Sequence, residues 1–424
     1  MTTTNMPNQT VLGKLVQPLL EMTQHCVHAR ECKTISDKQW LKVGVMRTLS
    51  NESTGRGFLQ SVFDSLSISI KRNHYFEALK SERRLRFCQE IGGLLFDYLK
   101  QMYCETDPFS KFSSLDGYDI YAGDGHYHAA SAHDTKKDGK KYPVQHFYAL
   151  DLRTHALKHL IDADVSGDRK KEHDMRALKR LGIDELRQNA PKGRKVIYVW
   201  DRAGIDFRQW YKWKQAGGIY FISREKDNMK LSVIAKLEFD PEDDINTGVL
   251  SHELVETSCG VSCRRIRYKC PVTGKTYSYL TNLTQIPPGL IAYLYKLRWD
   301  VEKVFDEVKN KMEEKKSYAK TQTAKTMQAE FICLAHNLML IMENDLKTEE
   351  GIKNEIEFKR KQKRLNKAVD SAKENGVVLP IHLRDIRRFT QRSIKFIRWL
   401  RNNMFNQALW RVAVDRLRVV YADF

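Results

Sequence analysis

Long apolar stretches are missing from this sequence. The longest, "FICLAHNLMLIM" at 331–342, is too short to span a bilayer and carries His336 and Asn337. The N-terminus "MTTTNMPNQT" lacks the basic-then-apolar layout of a secretory signal, so no membrane partner is expected. Cysteines are few and scattered, eight in 424 residues, which excludes a disulfide scaffold and points to a reducing, cytoplasmic compartment. Paired Cys-x-x-Cys zinc signatures are absent too. Cys259, Cys263 and Cys270 in "SCGVSCRRIRYKC", with His252 upstream, are either strand cysteines or an irregular metal site. The fragment "TGKT" (273–276) is no phosphate loop, because Lys269 stands where the first glycine would be required. It reads as a hairpin turn.

Acidic residues are also in deficit, 53 against 72 Lys and Arg, for a formal charge of +19. Such an excess favours a polyanionic partner, and with membranes set aside that partner is nucleic acid. From residue 351 onward, 18 Lys and Arg face 7 Asp and Glu, so this stretch holds +11 of the total.

A hydrophobic share of 42% allows a sizeable core divided among several domains. Residues 1–112 read as helices: "FLQSVFDSLSISIKRNHYFEAL" and "RLRFCQEIGGLLFDYLKQMY" repeat apolar residues every three or four positions, after a turn at "SNESTGRG". Strands follow. "YDIYAGD" (118–124), "VQHFYALDL" (144–152) and "THALKHLIDADV" (154–165) have short polar joins, as in an antiparallel meander. "KKEHDMRALKRLG" reads as one helix closed by Gly182. "KVIYVWD" (195–201) is nearly continuously apolar, as a strand buried on both faces would be. A helix ending at Gly217–Gly218 and the strand "IYFISRE" complete a mixed α/β layer.

Four further strands are expected between 228 and 284, before "PPGLIAYLYKLRW" reopens a helix with its prolines at the start. The C-terminal segment holds a basic helix, "EFKRKQKRLNKAVDSAK", and then "DIRRFTQRSIKFIRWLRNNMFNQALWRVAVDRLRVVY", where Arg alternates with aromatic and aliphatic residues. That stripe is a core face, a dimer seam or a DNA-contacting surface.

Within "YLYKLRWDVEKVFDEVKNKM" (293–312), two stripes share one helix. Tyr295, Arg298, Glu302 and Lys309 fall within roughly a 60° arc. Leu297, Val301, Val304, Phe305 and Val308 form a second stripe that suffices for docking. Two more acids occupy strand ends: Asp124 in "GDGH" and Asp201 after "VIYVW". Each alone is an ordinary turn former or helix cap. Asp116 and Asp119 lie near Asp124, but alternation along the strand and the flanking glycines favour Asp124. Three converging carboxylates are what two Mg²⁺ ions require for in-line phosphoryl transfer, one ion activating the attacking oxygen and the other stabilising the leaving one. Arg298 and Lys309 would hold flanking phosphates, and Tyr295 would stack or hydrogen-bond.

The spacing Tyr295-x2-Arg298-x3-Glu302-x6-Lys309, after "GDGH" and "VIYVWDRAG", resembles the Tyr-Arg-Glu-Lys motif of bacterial insertion-sequence DDE transposases. The likeness is to the branch with a β-rich insertion before the last acid, and it spans roughly residues 115–340. It implies an α/β fold with an RNase H-like mixed-sheet catalytic core, in two parts (113–227 and 286–345) interrupted by the insertion (228–285). It further implies a helical N-terminal domain (1–112) that binds DNA ends and a basic helical C-terminal domain (346–424) for dimerisation or DNA contact.

The resemblance also implies Asp124, Asp201 and Glu302 as catalytic metal ligands for two Mg²⁺ ions, with Mn²⁺ substituting. Tyr295, Arg298 and Lys309 would bind DNA phosphate. The activity implied is cleavage at terminal inverted repeats and transfer of the freed ends into target DNA, by a homodimer in a synaptic complex. Alternatives are a metal-dependent nuclease of the same fold or a non-catalytic DNA-binding relative. Some relatives stack a flipped base on a tryptophan in the insertion. Here no Trp lies between Trp213 and Trp299, which leaves Tyr268, Tyr277, Tyr279 or Trp299 as stacking platforms.

Overall fold

The computed structural model describes residues 9–103, 107–164, 172–352, 355–384 and 391–422. The polar start of the chain up to residue 8, the beginning of the "KKEHDMRALKRLG" segment and residues 385–390 of the C-terminal stripe lie outside them.

Five helices come first: α1 (Val11–Met22), α2 (Asp37–Leu49), α3 (Gly55–Leu66), α4 (Arg72–Leu79) and α5 (Glu82–Met102). Ser67, in the left-handed conformation, ends α3, so the apolar repeat over 58–79 is two helices and not one. Three antiparallel strands follow, β1 (Tyr118–His128), β2 (Val144–Asp151) and β3 (Leu157–Asp162). The expected single helix before Gly182 is instead α6 (Asp174–Leu178) and α7 (Ile183–Arg187). Gly182 caps the start of α7, where its N–H donates to Glu185. Then come β4 (Lys195–Val199), α8 (Phe207–Gly217) and β5 (Ile219–Arg224), and Gly218 closes α8 at a φ of +61°.

Strands β6 (Leu231–Lys236), β7 (Val249–Thr257), β8 (Ser262–Lys269) and β9 (Thr276–Thr281) lie between β5 and the next helices. They do not form a separate layer. β9 pairs antiparallel with β5, Ile222 opposite Thr281, giving one nine-stranded sheet of order β3-β2-β1-β4-β5-β9-β8-β7-β6. The first five strands of that order, with β1, β4 and β5 parallel, form the RNase H-like core. "TGKT" is the turn between β8 and β9, closed by the Gly274 N–H on the Cys270 carbonyl.

Helices α9 (Pro288–Leu297) and α10 (Trp299–Asp306) run on from one another, and residues 307–311 continue as a π-helical turn. Leu297, Val301, Val304, Phe305 and Val308 are all buried, so the docking stripe packs as its spacing predicts. α11 (Gln322–Thr348) contains the longest apolar run and lies against α2, α5 and β3. An added Cβ at Gly44 of α2 would come within 2.0 Å of the Phe331 ring, which marks how closely α2 and α11 approach. The polar interruption of the run has a use: Asn337 accepts from the Leu157 N–H and donates to its carbonyl, satisfying the backbone of edge strand β3.

The chain ends with α12 (Glu355–Glu374), α13 (Ile394–Phe405) and α14 (Trp410–Ala422). Phe396, Trp399 and Trp410 are buried, and the Val11 N–H donates to Ala408 while the Trp410 N–H donates to Gln9. The aromatic stripe is therefore core, packed on α1. Among the described residues, no helix is long and apolar enough to cross a membrane.

Candidate active site

Asp124 and Asp201 are set level by strand pairing. β1 and β4 run parallel with Ala122 opposite Val199, so two residues further on the two aspartates emerge from adjacent strands. Each carboxylate is steadied by its own turn. Asp124 accepts from the Gly125 N–H at 2.8 Å, and Asp201 accepts from the Ala203 N–H at 2.8 Å. Ser223 on β5 donates to the Asp201 carbonyl, fixing the backbone there. Beneath both lies the fully buried Trp200, wedged against Gly123 and Gly204, whose indole N–H donates to Asp174.

Glu302 reaches the same place from α10. Arg298, one turn earlier and almost completely buried, bridges the set. Its Nη1 stands 3.4 Å from the Asp124 carboxylate and its Nη2 2.6 Å from that of Glu302. The guanidinium lies beside the rings of Tyr295 and Trp299. Burial pushes the Asp124 carboxyl up to about 7; Arg298 opposes this, while the charges of Asp201 and Glu302 add to it. Asp124 and Glu302 flank one cation and the charge of Asp201 is felt at Asp124, a charge a divalent ion would balance, and an all-oxygen donor set suits Mg²⁺. The residues fit the ion.

The other candidates named from the sequence separate into two groups. Tyr295 is half-buried, its hydroxyl pushed up by burial, with its ring 4.9 Å from Tyr279. Lys309 is exposed and falls in the π-helical turn, where each residue advances less than in an α-helix, so the arc counted at 100° per residue does not carry through to it. Tyr268 and Tyr279 are buried with their rings already against each other, whereas Trp299 is more than half exposed and Tyr277 partly so, beside Arg224. A base could reach Trp299 without any displacement of the β8–β9 core. Asp119 is committed elsewhere, buried between Lys100 and Arg194, and Asp116 is an exposed cap.

The cysteine cluster is resolved by its neighbours. Among the described residues, Cys259, Cys263 and Cys270 do not converge as metal ligands, and His252 accepts from Arg264 Nε at 2.8 Å. A different trio does converge. His126 and His128, two and four residues beyond Asp124 on the same face of β1, meet Glu314. The alternation in "GDGHYH" is the only trace of this in the sequence, since Glu314 is distant along the chain.

The family model described as a transposase DDE domain matches residues 107–338 of the chain. No curated protein matches it.

Proposed function

Because the chain belongs to the transposase DDE-domain family, we propose that it is an insertion-sequence transposase that cuts at terminal inverted repeats and joins the freed 3′ ends to target DNA. The observation that carries this reading is that Asp124 and Glu302 share Arg298 while the charge of Asp201, from the neighbouring strand, acts on Asp124. The three carboxylates would hold two Mg²⁺ ions, with Mn²⁺ able to substitute; when bound, such ions activate an attacking oxygen and stabilise a leaving one. Asp201, just past the end of β4, and Asp124, which lies within β1 and not at its end as the sequence suggests, set one side of the site. Glu302, on α10, sets the other.

Arg298 has two tasks in this reading. Without DNA and metal it neutralises Asp124 and Glu302; with them, its planar fork turns to a backbone phosphate. Tyr295 positions that fork by lying against it. Lys309, exposed at the end of the same helical run, supplies a point charge to a phosphate further along the strand. Trp299 offers its ring to an unstacked base.

The Tyr-Arg-Glu-Lys spacing and the position of β6–β9 between β5 and α9 support the branch with a β-rich insertion. The charge of +19 supports DNA as substrate, with the N-terminal helices (1–112) on the element's ends and a homodimer forming the synaptic complex. The insertion (228–285), the two core parts (113–227 and 286–345) and the C-terminal helices (346–424) are the corresponding units.

The test uses a labelled duplex carrying the repeat that flanks the gene, incubated with Mg²⁺, with EDTA, and with Glu302→Gln in place of the wild type. Cleavage at the repeat edge that needs both Mg²⁺ and Glu302, followed by joining to a second duplex, is the expected result. Cutting indifferent to the repeat would make the protein a nuclease, and binding without cutting a non-catalytic relative.

A further inference from the structure

Beside the carboxylate cluster sits a second set of ligand-type side chains with different chemistry. His126 Nε2 lies 2.8 Å from one Glu314 oxygen and His128 Nδ1 lies 2.8 Å from the other. One ligand atom from each of the three residues lies within 4.8 Å of the rest. His128 is fully buried, and the Glu314 side chain is only 9% exposed. His128 Nδ1 and Glu314 Oε1 face each other as an ion pair at 2.8 Å, but they are poorly aligned as hydrogen-bond donor and acceptor. Two buried polar atoms that close, without donor–acceptor alignment, are costly unless something between them is shared.

The surroundings hold these ligands in place. His128 Nε2 is hydrogen-bonded to the Tyr148 hydroxyl at 2.6 Å, which leaves Nδ1 as the atom facing Glu314. The His126 ring stacks on Phe305 of α10 at 4.9 Å. Glu313 adopts a left-handed φ of +58°, a strained choice for a non-glycine residue, and that turn follows the π-helical segment and brings Glu314 back against β1. Behind His128, the imidazoles of His146 and His159 run on to Glu330, so the pocket is walled by further nitrogen ligands and not by solvent.

We propose that His126, His128 and Glu314 bind one transition-metal dication of the Zn²⁺ class, separate from the ions held by Asp124, Asp201 and Glu302. Two imidazoles and one carboxylate suit a borderline cation, whereas the all-carboxylate cluster suits a hard one. The role is structural. The ion ties the segment that follows the Glu302 helix to the strand that carries Asp124, so both sides of the carboxylate cluster are fixed to one point.

The experiment measures metal content on the full chain, purified without a histidine tag, loaded with Zn²⁺ and dialysed into Mg²⁺ buffer. The wild type should retain about one zinc per chain, and Co²⁺ loading should give a visible ligand-field spectrum. The Asp124→Asn, Glu302→Gln double variant should retain the zinc, while Glu314→Gln should weaken retention at least about tenfold. His126→Gln, at the more exposed ligand, serves as the second probe if Glu314→Gln does not fold by circular dichroism. A wild type holding no zinc above background and giving no cobalt spectrum would overturn the proposal and leave a hydrogen-bonded clasp. Zinc that is lost with the Asp124 and Glu302 changes but kept in Glu314→Gln would overturn it as well, since the ion would then belong to the carboxylate cluster.

Discussion

Trp200 fills the space against Gly123: a Cβ at that glycine would sit 1.9 Å from the indole. The contact is made one residue before each of the two aspartates, so the ring acts as a spacer between Asp124, within β1, and Asp201, just past β4. Gly123→Ala must displace either the ring or β1. Overpacking of this kind costs roughly 1–3 kcal/mol, read as a lower urea midpoint with an unchanged slope. DNA cleavage should fall more steeply than stability, because Asp124 moves with the strand. A stability loss with full cleavage activity would show that Trp200 does not set the carboxylate spacing.

Arg298 is held between Asp124 and Glu302. In EDTA it supplies the positive charge that lets the carboxylates stay close. Arg298→Gln should therefore lower stability in EDTA by about 2 kcal/mol, between the values for a surface pair and a buried one. Added Mg²⁺ should recover more of the melting temperature in the variant than it adds to the wild type. Equal Mg²⁺ shifts in both proteins would mean that the guanidinium and the ion do not answer the same charge.

Local pattern makes much of this legible. β1, β2, β4 and β5 follow from aromatic and β-branched runs, and the continuous apolar "VIYV" marks β4 as a strand with neighbours on both sides. Asp201 stands out at a strand end and Glu302 on a helix face with basic company, whereas Asp124, read from its glycines as a strand end, lies within β1, which runs on to His128. Less legible is anything that depends on what packs where. Periodicity shows that Phe396, Trp399 and Trp410 share a stripe, but not that α1 covers it. No residue preference distinguishes a π turn from an α turn, so regular helical spacing places Lys309 on one arc with Glu302. Pairings across long separations, such as Asn337 with Leu157 or Glu314 with His126, leave no local signature.

One such pairing anchors the C-terminal helices. Glu307, in the π turn, accepts from Arg392 Nη1 at 2.6 Å and from the Arg392 backbone N–H at 2.6 Å, with both side chains buried. Arg392 also reaches Glu343. Removing one member of a buried pair typically costs 3–5 kcal/mol, and because Glu343 remains, Glu307→Gln should fall at the lower end, about 3 kcal/mol. Chemical unfolding monitored by tryptophan fluorescence reads this directly, since Trp399 and Trp410 lie in the anchored helices. A loss below about 1 kcal/mol, the level of a surface pair, would sink the idea that this contact fastens them.

His252 gives a pH dependence far from the carboxylate cluster. Its Nε2 accepts from Arg264, which also donates to the carbonyls of Leu283 and Ile286 and so ties β8 to the approach of α9. Burial, and then the Arg264 charge, push the imidazole down to about 4, against about 6.5 for an unperturbed histidine. The folded protein thus keeps His252 neutral over a range in which the unfolded chain takes up a proton. Its contribution to stability is complete above about pH 6.5 and is lost progressively as the pH falls toward 4. His252→Gln retains a side-chain acceptor for Arg264 but cannot titrate. The difference in melting temperature between wild type and variant should favour the wild type at pH 7.5 and shrink steadily between pH 6.5 and 4. The carboxylates common to both proteins cancel in that difference. A difference that stays constant across the window would mean that His252 becomes protonated as readily in the folded chain as in the unfolded one, and that Arg264 is held by the two carbonyls alone.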